Sequence, residues 1–282
     1  MAATQMMNVY LRPVHIASGL LILSAVVAPG ALGVESETPN PEATENAPPS
    51  DPESATTPAS PAGREAAFLS LLERGRLDEG YVALTGDPTV LAFARASNHL
   101  PATGGLLVVG AKGRFIGADR RLKVLIDELT AGGWGIVVVQ PPLNEAPDTE
   151  AYRTEVIRRA SLGLKEPILS EGQFGVVMGL GGQSDSLEHW LLENKPSTVH
   201  AYVSSEAWDG GDAVVQLPTL EIVAELSATA QAKAEQRYRR FARDANAGYE
   251  RRIIPGAQPD YAGVETSFAR VVRGWLKKKF DG

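Results

Sequence analysis

The chain has 282 residues, of which 27 are basic and 34 acidic, giving a net charge of −7, and it contains no cysteine. The absence of cysteine excludes disulfides, thiolate metal sites, a cysteine nucleophile and a lipid-modified cysteine. Residues 63–282 carry 26 basic and 28 acidic residues, so the folded part has no electrostatic footprint for nucleic acid.

Near the N-terminus, Arg12 precedes an uncharged apolar run at residues 16–34, which is followed by Glu35 and Glu37. That is the charge order of a secretory signal, and Ala31 and Gly33 fit the small-residue positions of a cleavage site. Residues 1–33 therefore read as a signal peptide, cleaved near Gly33. The run also just reaches the roughly 18 apolar residues of a membrane anchor, but Pro29 and Gly30 weaken a spanning helix. The protein is expected to be exported to the periplasm or cell envelope, touching a membrane only if the signal is retained. Residues 34–62 hold seven prolines and six acids, with no basic or aromatic residue. This composition predicts a disordered acidic linker, because it cannot bury enough apolar surface to offset the entropy of ordering. The remaining residues, 63–282, are enough for one domain with a substantial core.

Within that domain, Arg64–Arg74 places Phe68, Leu71 and Leu72 on one helical face. Two short apolar runs, Tyr81–Leu84 and Thr89–Ala94, flank Gly86-Asp87-Pro88 and predict a hairpin. Leu106–Val109 and Gly135–Gln140 are continuous apolar runs suited to parallel strands buried on both faces. Between them, Asp119–Thr130 carries Leu122, Leu125, Ile126 and Leu129 on one stripe and ends at Gly132-Gly133, completing a βαβ unit. The alternation continues with a helix at Thr149–Gly163, a strand at Gly175–Gly179, a helix at Ser184–Asn194 and strands at Thr198–Ser204 and Thr219–Ala224. A helix at Ser227–Ala245, a strand at Tyr249–Ile254 and a last helix near Thr266–Phe280 complete it. A hairpin followed by repeated βα units predicts an α/β fold, with a mostly parallel sheet flanked by helices on both faces.

The order of elements, with LLVVG at Leu106–Gly110, GGWGIVVVQPP at Gly132–Pro142, VVMGLGGQ at Val176–Gln183, PTLEIVAE at Pro218–Glu225 and RRIIPGAQPDY at Arg251–Tyr261, resembles the α/β-hydrolase fold. More narrowly, it is similar to an uncharacterised family of exported, α/β-hydrolase-like proteins of Gram-negative bacteria. The resemblance covers residues 65–280 and implies where a catalytic triad would stand.

The residues at those places depart from triad chemistry. A nucleophile elbow reads G-x-S-x-G, with small residues flanking a serine held in a strained turn. Here the five positions are Gly179, Leu180, Gly181, Gly182 and Gln183, and glycine has no nucleophile. The acid position after Thr219–Ala224 falls on Ser227, with Glu225 nearby as a substitute. The histidine position falls on Gln258 or Pro259, neither of which cycles a proton near neutral pH. The histidines beyond the signal are His99, His189 and His200, so residues 201–282 contain none. A shifted reading places a nucleophile at Ser184, with His189 or His200 as base. Against it, serine at a helix start is the ordinary cap, and His189 falls on the surface of the same helix.

Gly110-Ala111-Lys112-Gly113 lacks the dinucleotide-binding glycine spacing, so no cofactor is expected, and no metal-ligand spacing appears. The basic run Arg237–Arg243, bracketed by Glu235 and Asp244, reads as a solvated helix face. What remains is a turn whose backbone N–H groups, at Gly181, Gly182 and Gln183, adjoin the loop at Gly110 and Ala111. Such a place can bind an anion or carbonyl without reacting. The sequence thus predicts a catalytically inactive binding or scaffolding protein, whose partner is a small molecule or an envelope protein. The alternative is an esterase-like serine hydrolase with its nucleophile displaced to Ser184.

Overall fold

The structure, a computed structural model, describes residues 61–77, 79–143, 149–206, 215–243 and 248–280. The predicted signal peptide and all but the last two residues of the predicted linker lie outside these. Helix α1 (Pro61–Glu73) begins the described chain.

Strands β1 (Tyr81–Leu84) and β2 (Val90–Arg95) form the predicted antiparallel hairpin. β2 also pairs antiparallel with β4 (Trp134–Val139). The other strands, β3 (Gly104–Val109), β5 (Phe174–Leu180), β6 (Ala201–Ser205), β7 (Thr219–Ala224) and β8 (Tyr249–Ile254), extend the sheet in parallel, in the order β1-β2-β4-β3-β5-β6-β7-β8. Every residue of β3, β4, β6 and β7 is buried, which is why these strands read as unbroken apolar runs and not as alternating ones.

Alternate side chains of each strand serve opposite faces. Leu106, Val108, Ile136 and Val138 meet α2 (Arg120–Thr130) and α6 (Glu265–Phe280), whose stripes contribute Leu122, Leu125, Leu129, Phe268, Val272 and Leu276. Leu107, Val109, Val137 and Val177 meet α3 (Glu150–Gly163) and α4 (Gln183–Asn194) through Val156, Ala160, Leu187 and Leu191. α5 (Ala228–Arg243) lies over Val223 through Ala230 and Ala234. Each fully buried aliphatic side chain contributes about 1.5–3 kcal/mol, and the two faces together hold the sheet between helical layers, as the alternation predicts.

One expectation fails here. Arg237 was expected on a solvated face, but it is 4% exposed, and its Nη2 donates to Glu188 Oε2 at 3.0 Å while its Nε stands 3.6 Å from Glu221 Oε1. The cause is helical phase. Ala230, Ala234, Arg237 and Phe241 recur at the spacing of a core-facing stripe and are all buried, so the arginine is carried inward and two carboxylates meet it. The Tyr249 hydroxyl donates to Glu221. Burial pushes the Glu188 carboxyl up to about 7 even against the pull of Arg237. Arg237→Met would leave both carboxylates without this cation, a change that typically costs about 3–5 kcal/mol. Urea denaturation at neutral pH measures it; an unchanged midpoint would mean that the cluster does not support the fold.

Candidate functional site

The turn between β5 and α4 spans only Gly181 and Gly182. At Gly179 a β-carbon would lie 2.8 Å from the Ser184 Cα and N, so the helix backbone runs directly against the strand. Gly181 has φ +63°, the left-handed region in which a side chain is strained. Its N–H donates to the Ser205 carbonyl at 3.0 Å, and its carbonyl accepts the Ser184 N–H at 3.0 Å. The Gly182 N–H stands at the start of α4, where no intrahelical acceptor exists.

Strand registers pair Val109 with Gly179, Leu180 with Ser205, and Ser205 with Ile222, so the C-terminal ends of β3, β5, β6 and β7 share one edge. A cleft of about 240 Å³ opens there. The loop after β3 contributes Ala111, Lys112 and Arg114, and α2 contributes Arg121. Gly181 and Gly182 form its floor, with Glu206 following β6 and Pro259 and Asp260 following β8. The structure thus brings together Gly181, Gly182, Ala111 and Pro259 of the residues picked out by sequence.

The others stand elsewhere. Gly110 supports the loop from beneath, its N–H donating to the Val139 carbonyl. The Gln183 side chain is wholly buried and donates to the Tyr152 hydroxyl of α3, so it is not part of the cleft lining. Glu225 is likewise outside the lining: its Oε2 accepts the Gly256 N–H at 2.7 Å and steadies the loop after β8. Ser227 accepts the Ala230 N–H at 3.3 Å at the start of α5.

Ser184 is not the helix cap expected from sequence. Gly182 holds that place, and Ser184 is 0% exposed inside the first turn, its Oγ donating to the Gly179 carbonyl at 3.1 Å. The missing side chain at Gly179 lets the helix close on the strand two residues sooner than a cap at Ser184 would. His189 is half-buried on α4, its Nε2 3.1 Å from Glu193 Oε1. His200 precedes β6 and its Nδ1 accepts the Gly175 N–H at 3.0 Å. Gly175 lies at the opposite end of β5 from Gly181, roughly 20 Å away at about 3.3 Å per residue.

The residue that sequence reasoning missed is Glu206. Its φ is +71°, an uncommon conformation for a residue with a side chain. Its Oε2 lies 3.2 Å from the point where a β-carbon on Gly181 would stand, so this carboxyl occupies the space beside the elbow that a nucleophile would use. Burial pushes Glu206 up to about 7, with Asp260 and Asp119 adding to the rise and Arg121 and Arg114 opposing it.

Arg121 was also missed. A cation in the first turn of a helix opposes the helix dipole, and Asp119 compensates. Its carboxylate accepts from Arg121 Nε at 3.2 Å, from Nη2 at 2.9 Å and from the backbone N–H at 3.0 Å. The guanidinium lies 5.6 Å from the centre of the Tyr261 ring. Its Nη1 is buried and has no hydrogen-bond partner among the described residues. Arg114 pairs with Asp260 at 3.4 Å, and the Ala262 N–H, with Arg114, holds the Asp260 carboxyl below its usual range. Two sequence signals point to this pair: an acid directly after a buried parallel strand, at the edge where open α/β sheets bind ligands, and an arginine opening an amphipathic helix.

The helix start, Arg121 and Lys112 suit a bound anion or carbonyl oxygen. Glu206 can give or take a proton near neutrality. Among the described residues, no group of three histidine, aspartate or glutamate side chains is placed to hold a metal.

No family model matches the sequence, and no curated protein matches it. Solved structures do match. Est1E from Butyrivibrio proteoclasticus is 10% identical, covering 72% of this chain and 100% of its own, with a TM-score of 0.56. A dienelactone hydrolase from Anabaena variabilis is 19% identical, covering 70% of this chain and 96% of its own, with a TM-score of 0.55. XC6422 from Xanthomonas campestris, an α/β serine hydrolase without a lid, is 10% identical, covering 73% of this chain and 98% of its own, with a TM-score of 0.54. The fold is that of the α/β hydrolases.

A carboxyl raised from 4.5 to about 7 by folding favours the protonated state. Its contribution to stability is fully present below about pH 4.5 and is lost as pH rises through about 7. Glu206→Gln is uncharged throughout, so it should gain stability relative to wild type between about pH 5 and about pH 8. Denaturant unfolding at both values checks this, and a constant difference would mean that Glu206 is not desolvated.

Proposed function

We propose that this is an exported α/β-hydrolase-fold protein that binds a small anionic or carbonyl-bearing ligand at the Gly181 cleft without acyl transfer, as a binding or scaffolding protein. The observation that carries this reading is the substitution at the elbow. The nucleophile's position is glycine, and the carboxyl of Glu206, directly after the neighbouring strand, stands 3.2 Å from where its β-carbon would be. The other two triad positions fall on Ser227, which serves the start of α5, and on Pro259, which carries no proton. Export rests on the charge order and small residues of the N-terminal 33 residues.

The second reading, a serine hydrolase acting through Ser184, draws support from the likeness to Est1E and to the dienelactone hydrolase. It requires the first turn of α4 to leave Gly179, because the Ser184 hydroxyl is buried in that contact.

The two readings part under an organophosphorus serine probe and an acyl-ester assay. The binding reading expects no covalent adduct and no saturable turnover near ~1 s⁻¹, for wild type and Ser184→Ala alike. Oxyanion contacts and binding alone can leave an acceleration of about 10³–10⁴ over water, so a faint rate indifferent to Ser184→Ala agrees with it. Labelling or turnover that disappears in a folded Ser184→Ala protein would replace it with the hydrolase reading.

A further inference from the structure

The charges of the cleft are unevenly paired. Asp119 engages two nitrogens of Arg121, and Asp260 engages Arg114, whereas neither arginine hydrogen-bonds to Glu206. Arg121 keeps a buried Nη1 with no partner among the described residues, although the residue lines the cleft. The Gly182 N–H opens α4 on the same floor. A cleft of about 240 Å³ is therefore lined by an arginine with an unspent donor, by the first residue of a helix start and by one carboxyl.

We propose that this cleft takes up small monocarboxylates together with one proton, the ligand being held by the Arg121 Nη1–H, the Gly182 N–H and the O–H of a protonated Glu206. The inference rests on the reading of the cleft as a binding site. Two carboxylates brought into one desolvated site cannot both stay ionised, so one proton is retained between them. Among the described residues, the groups facing Glu206 are Lys112 and Arg114 from the loop after β3, Asp119 at the cap of α2 and Arg121 in its first turn, and Asp260 and Tyr261 from the loop after β8. Asp260 is held ionised by its partners, and burial pushes the Tyr261 hydroxyl well above its usual range. Glu206 is left as the group that titrates near neutrality.

With Glu206 protonated, its O–H and the two N–H groups offer three donors to the oxygens of one carboxylate, and a second ligand charge would have to be desolvated with none of these donors left for it. The volume sets the size: ligand pockets for drug-sized molecules usually start at about 300 Å³, above the 240 Å³ available. A short aliphatic acid fits, its tail against Ala111 and Pro259.

The full chain is titrated calorimetrically with butanoate and, separately, with inorganic phosphate. In wild type, butanoate affinity should fall about tenfold per pH unit above about pH 7, with about one proton taken up per ligand. Glu206→Gln should bind butanoate with an affinity that no longer depends on pH over that range. Arg121→Lys keeps the charge but loses the fork and should weaken binding by at least about tenfold. At pH 8, where inorganic phosphate is mostly a dianion, it should bind at least about tenfold more weakly than butanoate, because its second charge must also be desolvated. Should Arg121→Lys fail to fold, the wild-type and Glu206→Gln pH profiles decide. A pH-independent wild-type affinity, no butanoate binding near pH 6, or tighter binding of phosphate than of butanoate at pH 8 overturns the proposal. Phosphate binding in that last case would leave the anion-site reading standing, whereas Ser184-dependent probe labelling would overturn the reading beneath it.

Discussion

The contact between the start of α4 and the end of β5 governs the arrangement of the cleft. Because Gly179 has no side chain, the Ser184 backbone comes within 2.8 Å of where one would be, and the strand must turn into the helix within two residues. Gly181 accepts the left-handed conformation this demands. The same contact buries the Ser184 hydroxyl on the Gly179 carbonyl and aims the positive end of α4 at the strand ends. A larger residue at 179 would push the helix out and open the turn.

Around that turn, the cleft is organised by charge. Arg121 lies at the end of a helix where its charge is disfavoured, and it is kept there by a capping aspartate that also binds its guanidinium. Burying this pair costs solvation that the bidentate contact offsets only in part, and the free Nη1 is where the offset is incomplete. Glu206 adds a third carboxyl, desolvated and in a strained backbone, beside the place of the missing nucleophile. Strain and desolvation of this kind persist where the surrounding structure over-determines them, here through the Ser205 and Glu206 backbone bonds to Gly181 and Ile222.

A second buried charge cluster ties α4 to its neighbours: Glu188 of α4 and Glu221 of β7 both meet Arg237 of α5. The Tyr202 hydroxyl donates to the Ser184 carbonyl at 2.8 Å, so polar bonds hold α4 from the sheet side as well as from its first turn. These contacts make the helix a rigid wall, suited to presenting backbone donors at a fixed position.

Several features were determined by the sequence alone. The buried parallel strands were legible because runs such as Val137–Val139 have no polar face, and α2 and α6 because their apolar residues repeat at helical spacing. The glycine elbow was legible because few other turns require small residues at 179, 181 and 182 together. Tertiary structure decided the rest. Arg237 reads as a surface residue until the phase of α5 over the sheet is known, and Ser184 reads as a cap until Gly179 brings the helix down on the strand. Glu225 and Glu206 both follow strands and look equivalent in sequence. Which of them reaches the cleft depends on strand order and on the turn of the backbone after each strand, and those relations are set by packing across the sheet, not by any local pattern of residues.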